Sequence, residues 1–189
     1  MEILFKANSF PNTLNTLMGI ESNYLLRIGD ATIPNNQLQV ATSVNNCTSA
    51  DLQLESGKWY HVAVAFNKGN VKVYINGVEK LSGSTGKSSV SLGAKHTNEE
   101  DGSRCFWVGY SYKDDRYFDG VVSEVRIWNR ALTAEEIQAT NHFYTIEPES
   151  EGLIAYWKFD EGSGTVAKDY SVSGYDLTCL LYTSDAADD

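Results

Sequence analysis

The densest run of chemically useful side chains is Tyr110-Ser111-Tyr112-Lys113-Asp114-Asp115-Arg116-Tyr117, with Trp107 just upstream. Sugars present apolar C–H faces that stack on aromatic rings, and hydroxyls that want planar polar groups beside them. Three tyrosines, a tryptophan, the Asp115 carboxylate and the Arg116 guanidinium supply both. Trp107, Tyr110, Tyr112, Asp115, Arg116 and Tyr117 are therefore the candidate ligand-binding residues. The plainer reading is that one or two of these tyrosines only cover a sheet edge.

Other groupings promise less. Glu147, Glu149 and Glu151 alternate, but Pro148 and the lack of apolar neighbours place them in a loop. Glu99-Glu100-Asp101-Gly102 reads as a solvated turn. Glu124 is expected to pair with Arg126 or a neighbouring strand rather than to catalyse. The histidines His61, His96 and His142 are scattered, and His61 reads as a hydrogen-bonded structural residue on a strand. The sequence holds no Ser/His/Asp arrangement, zinc-ligand spacing, phosphate loop or EF-hand loop.

Composition sets the frame. The chain has 189 residues, 42% hydrophobic and 21% charged with only 3 prolines, which is globular rather than disordered composition. A formal net charge of −10 disfavours nucleic acid or an anionic membrane as partner. No apolar run reaches the roughly 20 residues that a membrane helix needs. The 11 tyrosines are the compositional excess.

Both ends are unusual. Met1 opens directly into strand-like Glu-Ile-Leu-Phe-Lys, so the chain reads as beginning inside an element, with any natural leader missing. From Cys179 to Asp189 the sequence reads Cys-Leu-Leu-Tyr-Thr-Ser-Asp-Ala-Ala-Asp-Asp, with no periodicity tying it to what precedes. It resembles a translated DNA-library adapter and is expected to be a scar. Without it Cys47 and Cys105 remain. A disulfide between them would stabilise by about 4 kcal/mol in the chain-entropy model, and two unpaired core thiols are the equal alternative.

The elements that must position these groups are strands. Tyr60, Val62, Val64 and Phe66 fall at every second position, the period of a half-buried strand. Asn67-Lys68-Gly69-Asn70 is turn chemistry, Val71–Ile75 alternates again, and Asn76-Gly77 is a strong hairpin signal. Further strands are expected at 3–6, 17–20, 24–28, 38–41, 90–92, 105–110, 121–128 and 153–159. Val62, Val64, Phe66, Val73, Ile75, Val125 and Ile127 should lie between two sheets. Trp59, Trp128 and Trp157, each in an alternating apolar strand, are expected in the core. Thr133-Ala134-Glu135-Glu136 is a capping box opening a helix of about two turns that fades near 140–141, with Leu132 and Ile137 flanking it.

Two stretches carry a resemblance. Gly57-Lys58-Trp59-Tyr60-His61-Val62-Ala63-Val64, followed by Val73-Tyr74-Ile75-Asn76-Gly77, resembles the laminin G-like, concanavalin A-like lectin/glucanase superfamily. So does the run from Phe118-Asp119-Gly120 through Val125-Arg126-Ile127-Trp128 to Glu136-Ile137. The match covers about 1–144. Leu153-Ile154-Ala155-Tyr156-Trp157 through Gly164 is a further phrase found in such proteins, which either closes one domain or opens a second copy.

That resemblance implies an all-β, two-sheet antiparallel jelly-roll sandwich with one short helix near 133–140. Residues 1–146 would form the sandwich, N-terminally truncated, and 147–178 the closing or opening segment. It also implies a non-catalytic glycan-binding module of a larger bacterial surface or secreted protein, with neighbouring domains on the parent chain. A spacer or protein-interaction module without a sugar site is the alternative. A glycoside hydrolase is the remoter one, since glucanases of this fold carry Glu-x-Asp-x-x-Glu along one strand and nothing here fits. Relatives often hold a structural calcium, for which Asp160 and Asp169, flanking a Gly-Ser-Gly loop, are the candidate ligands, with turn-forming Asp as the simpler reading.

Overall fold

A computed structural model describes residues 1–92, 105–111, 114–139, 142–143 and 146–178. In chain order the elements are β1 (Glu2–Ala7), β2 (Asn15–Ile20), β3 (Tyr24–Asp30), β4 (Ile33–Thr42), β5 (Trp59–Asn67), β6 (Asn70–Ile75), β7 (Val78–Ser84) and β8 (Trp107–Val108). Then follow β9 (Gly120–Trp128), α1 (Ala134–Gln138), β10 (Leu153–Trp157), β11 (Val166–Ala167) and β12 (Leu177–Thr178). Residues 90–92 form no strand, and the 105–110 expectation shrinks to the two residues of β8.

Two antiparallel sheets stack face to face. The larger runs β10-β9-β1-β5-β6-β7 and the smaller β4-β3-β2-β8, with β11-β12 as a separate ribbon. Between them, Ile3 and Phe5 of β1, Val62 and Val64 of β5, Val73 of β6 and Val125 of β9 meet Leu26, Ile28, Leu38 and Val40 of the smaller sheet. Phe66 is partly buried and packs on Tyr24 across the gap, ring centroids 5.5 Å apart. The expected jelly-roll-type sandwich is thus the observed architecture.

The β5–β6–β7 meander follows its turn residues. Asn67 pairs with Asn70 and Ile75 with Val78, so each hairpin has a two-residue loop. Lys68, Gly69, Asn76 and Gly77 all take positive φ (48°, 90°, 50° and 77°), as a type I′ turn requires at both central positions.

Alternation corrects the tryptophan expectation. Tyr60, Val62, Val64 and Phe66 share one parity, and Trp59 has the other, so it leaves the core and is 46% exposed with Lys6 over its ring. Trp128 likewise has the parity of Glu124 and Arg126 rather than of Val125 and Ile127, and is half-buried on the outer face. Only Trp157 is a core residue, stacked on Phe106 at 5.8 Å.

The outer face of the larger sheet is roofed by α1. Leu132 and Ile137 pack on Ala63 and Tyr74. The capping box forms: the Glu136 N–H donates to Thr133 Oγ1 (3.2 Å) and the Thr133 N–H to Glu136 Oε2 (2.8 Å). The helix is shorter than expected and stops at Gln138, because Ala139 turns to extended backbone (ψ 133°).

Two expectations follow. Trp157→Ala should lower the unfolding free energy by roughly 3–5 kcal/mol as a large-to-small core change, whereas Trp59→Ala should cost about 1 kcal/mol or less; denaturant melts compare them. The Arg130 guanidinium and the Thr133 amide hold the Glu136 carboxyl down at about 2. A depressed pKa stabilises the fold fully above the unfolded value near 4.5 and loses that contribution as pH falls through about 2. The stability gap between wild type and Glu136→Gln should therefore be flat from pH 7 to about 5 and close between roughly 4.5 and 2.

Candidate functional site

The aromatic segment starts on β8, whose Trp107 and Val108 pair with Gly19 and Met18 of β2 at the edge of the smaller sheet. Gly109 (φ 73°) turns the chain out of the strand, and its carbonyl then accepts the Phe118 N–H at 2.8 Å, closing the segment into a loop. The far end is pinned to residues 8–12. Asn8 Nδ2 and Ser9 Oγ donate to the Asp119 carboxylate (3.2 and 2.5 Å), and Asn12 Nδ2 donates to the Tyr117 carbonyl (3.0 Å). Those donors hold the Asp119 carboxyl below its ordinary range.

Within this frame Trp107 and Tyr110 meet edge to face, centroids 5.4 Å apart at 68°. Arg116, in a single 3-10 turn, reaches Glu21 Oε1 with Nη1 at 2.9 Å, and Asp115 Oδ1 lies 4.0 Å from its Nε. The Asp115 side chain is 82% exposed and Tyr117 is exposed too. Tyr112 lies outside the described residues. The structure thus groups Trp107 with Tyr110 and Arg116 with Asp115, and leaves Tyr117 on the surface beside Asn12.

Register adds residues that the sequence reading missed. Gly19, Leu25 and Ala41 stand side by side across β2, β3 and β4, as do Thr16, Arg27 and Gln39. Arg27 Nε donates to Gln39 Oε1 (2.8 Å), and Arg27 pairs with Asp30. Burial lowers the Arg27 pKa against the opposing charges of Asp30 and Glu21, and Arg116 is near enough to lower it too. A charged residue inside Tyr-Leu-Leu-Arg-Ile, opposite Gln in Leu-Gln-Val, was the available signal.

The proposed calcium ligands are differently employed. Asp169 Oδ1 accepts N–H bonds from Tyr156 and Ser171 (both 2.8 Å); Oδ2 accepts the Ser171 hydroxyl (2.9 Å) and the Tyr175 N–H (2.7 Å). Burial pushes this carboxyl up, but the donors outweigh it and hold it below the ordinary value. Asp160 accepts the Tyr170 hydroxyl at 3.1 Å. A carboxylate surrounded by donors is a clamp between β10 and the chain after β11, and it does not fit a calcium ligand.

No paired catalytic carboxylates stand out among the described residues. Glu124 is bound by Arg126, as expected, and Glu147, Glu149 and Glu151 are exposed in turns; Glu99, Glu100 and Asp101 lie outside the described residues, as do His96 and 179–189. Cys47 is a buried free thiol, and no disulfide joins it to Cys105. The histidines are not all scattered. His61 of β5 and His142 converge on Glu2 of β1, with Nε2 to Oε1 distances of 3.3 and 2.5 Å. Burial opposes the Glu2 charge, but the two imidazoles, His142 more closely, keep its carboxyl well below the usual carboxylate range. Trp128 Nε1 donates to Glu2 Oε2 at 2.7 Å.

A two-sheet antiparallel sandwich is the architecture of the concanavalin A-like class. The sequence model of the concanavalin A-like lectin/glucanases superfamily, laminin G type, matches residues 2–138, and this chain belongs to that family. A protein from Bacteroides ovatus, provisionally named a carbohydrate binding protein, superimposes with a TM-score of 0.74 at 28% identity over 94% of this chain and 52% of its own. Domain 4 of AbnA, a GH43 extracellular arabinanase from Geobacillus stearothermophilus solved with arabinotriose, gives 0.54 at 27% identity, over 72% of this chain and 63% of that one. An 85-position alignment that covers 42% of this chain is 34% identical to the human adhesion G-protein coupled receptor D1. The chain spans about half of the Bacteroides protein and 8% of the receptor.

If Asp169 is a hydrogen-bonded clamp, Asp169→Ala should destabilise by roughly 2–4 kcal/mol, because it leaves buried N–H groups unanswered. Millimolar calcium should leave the wild-type melting temperature unchanged in differential scanning calorimetry. A calcium-dependent rise that Asp169→Ala abolishes would reinstate the metal.

Proposed function

We propose that this chain is a non-catalytic carbohydrate-binding module of a longer, extracytoplasmic protein of the bacterial surface or secretome. The sugar would dock on Trp107, Tyr110, Asp115, Arg116 and Tyr117, with Tyr112 in the same segment. One observation carries the reading: the Trp107–Tyr110 ring pair stands where β8 leads into the segment that also bears Arg116, whose guanidinium is held by Glu21. Rings offer stacking surface to C–H faces, and an anchored guanidinium offers planar donors to hydroxyls without paying much ordering entropy. The names of the Bacteroides and AbnA relatives point to the same chemistry. A hydrolytic role has less support, since Glu124 is bound by Arg126.

The test is calorimetric titration with arabino-oligosaccharides, preceded by a glycan array to widen the choice. Tyr117→Ala, an exposed position, should weaken binding about tenfold or more while stability stays within about 0.5 kcal/mol. Arg116→Ala should weaken it further. A wild-type protein that binds no glycan on the array would favour the spacer or protein-interaction role. Binding unchanged in both folded variants would move the site elsewhere, and release of reducing ends from a bound oligosaccharide would make the chain an enzyme.

A further inference from the structure

The outer face of the larger sheet holds a second grouping that sugar binding does not use. Glu2 is 2% exposed, and His61 and His142 are each 6% exposed. One carboxylate oxygen and two imidazole nitrogens lie there within 4.8 Å of one another. Both histidines direct Nε2 at the same atom, Glu2 Oε1, but only His142 makes a hydrogen bond to it. Neither ring nitrogen of His61 has a hydrogen-bond partner among the described residues. Its Nε2 faces the Glu2 carboxylate at 3.3 Å without hydrogen-bond alignment and its Nδ1 faces nothing polar that bonds it, a costly arrangement for a buried imidazole unless something else binds it.

We propose that Glu2, His61 and His142 form a site for a divalent transition-metal ion of the zinc type. Two imidazoles and a carboxylate are a donor set suited to zinc, and three protein ligands leave a fourth position open. Calcium and magnesium would want oxygen alone, and copper(I) would want sulfur. Tetrahedral zinc with bonds of about 2.0–2.1 Å sets its ligand atoms about 3.3 Å apart. The His61–Glu2 separation is already 3.3 Å, and the His142–Glu2 contact of 2.5 Å must open as the ion replaces the proton between them.

Outer support is in place for the carboxylate ligand: the Trp128 indole N–H holds Glu2 Oε2 at 2.7 Å. Arg126 Nη1 donates to the His142 backbone carbonyl at 2.7 Å and so fixes the backbone that carries that imidazole. His61 Nδ1 has no partner among the described residues, which sets the affinity below that of a fully supported site. A cavity of about 330 Å³, lined by Leu4, Trp59, His61, Ser123, Glu124 and Phe143, reaches His61 and gives the ion a way in and room for a water as fourth ligand.

The test uses protein without a polyhistidine tag, stripped by a chelator and titrated with zinc chloride in a calorimeter, with cobalt(II) absorption as the coordination readout. One ion should bind per chain, with visible bands of four- or five-coordinate cobalt, and zinc should raise the melting temperature. Glu2→Gln, His61→Gln and His142→Gln should each weaken binding by more than about 100-fold; Trp128→Phe, which removes only an outer partner, should cost about 10–100-fold. His96→Gln should change nothing. Circular dichroism shows which variants fold, and should the Glu2 or His142 variants fail, His61→Gln and Trp128→Phe decide. Absence of stoichiometric zinc binding by the wild type up to millimolar concentration, or undiminished affinity in the folded variants of the cluster, overturns the site.

Discussion

A carboxylate and a guanidinium, Glu2 and Arg126, stand at paired positions of β1 and β9 and are each only 2% exposed. Taking either charge out of water costs several kcal/mol unless its lone pairs and protons are answered. Most of the answers are in place: His142 and Trp128 for Glu2, Glu124 and the His142 carbonyl for Arg126, with the Tyr156 ring 5.1 Å from the guanidinium, while Arg126 Nε has no hydrogen-bond partner among the described residues. The chain after β9 must therefore return across the outer face of the larger sheet to deliver His142. Helix α1, with Leu132 and Ile137 on Ala63 and Tyr74, lies along that return.

This arrangement divides the molecule's two outer faces. On the larger sheet, charges are buried in mutual contact beneath α1 and the residues that follow it. At the β8 edge of the smaller sheet, rings and polar groups are only half-covered, and the loop that carries them is fastened at both ends through Gly109 and Asp119. The fold itself is shared by binders and hydrolases, so architecture alone assigns neither role.

What was legible in the sequence was local. The two hairpins of the meander, the Thr133–Glu136 capping box and the Glu124–Arg126 pair each depend on residues a few positions apart. Trp59 sits among apolar neighbours that suggest a core position, but the same alternation that turns Val62 and Val64 inward turns Trp59 outward. The convergence of Glu2, His61 and His142 depended on β1 lying between β5 and β9, and no short-range pattern announces strand order. The meeting of Arg27 and Gln39 has a related origin, since register between β3 and β4 decides which polar residues meet. Asp169 was chemically ambiguous: a carboxylate beside glycines serves a cation or four N–H and O–H donors, and only the positions of Tyr156, Ser171 and Tyr175 distinguish them.

The central place of β1 also has a cost in time. Its two partners, β5 and β9, begin at Trp59 and Gly120, so β1 waits for the last residues of β9 before both its edges are covered. At roughly 5–20 residues per second on the ribosome, about 120 residues of delay leave an apolar strand with an open edge for about 6–24 seconds. Ile3 and Phe5 are then accessible to any other unpaired strand, including the same segment of a neighbouring nascent chain. Sandwiches threaded in this order fold late for a reason set by their topology, and the hairpins of β5–β7, built from close neighbours, are the scaffold on which the waiting strand can first settle.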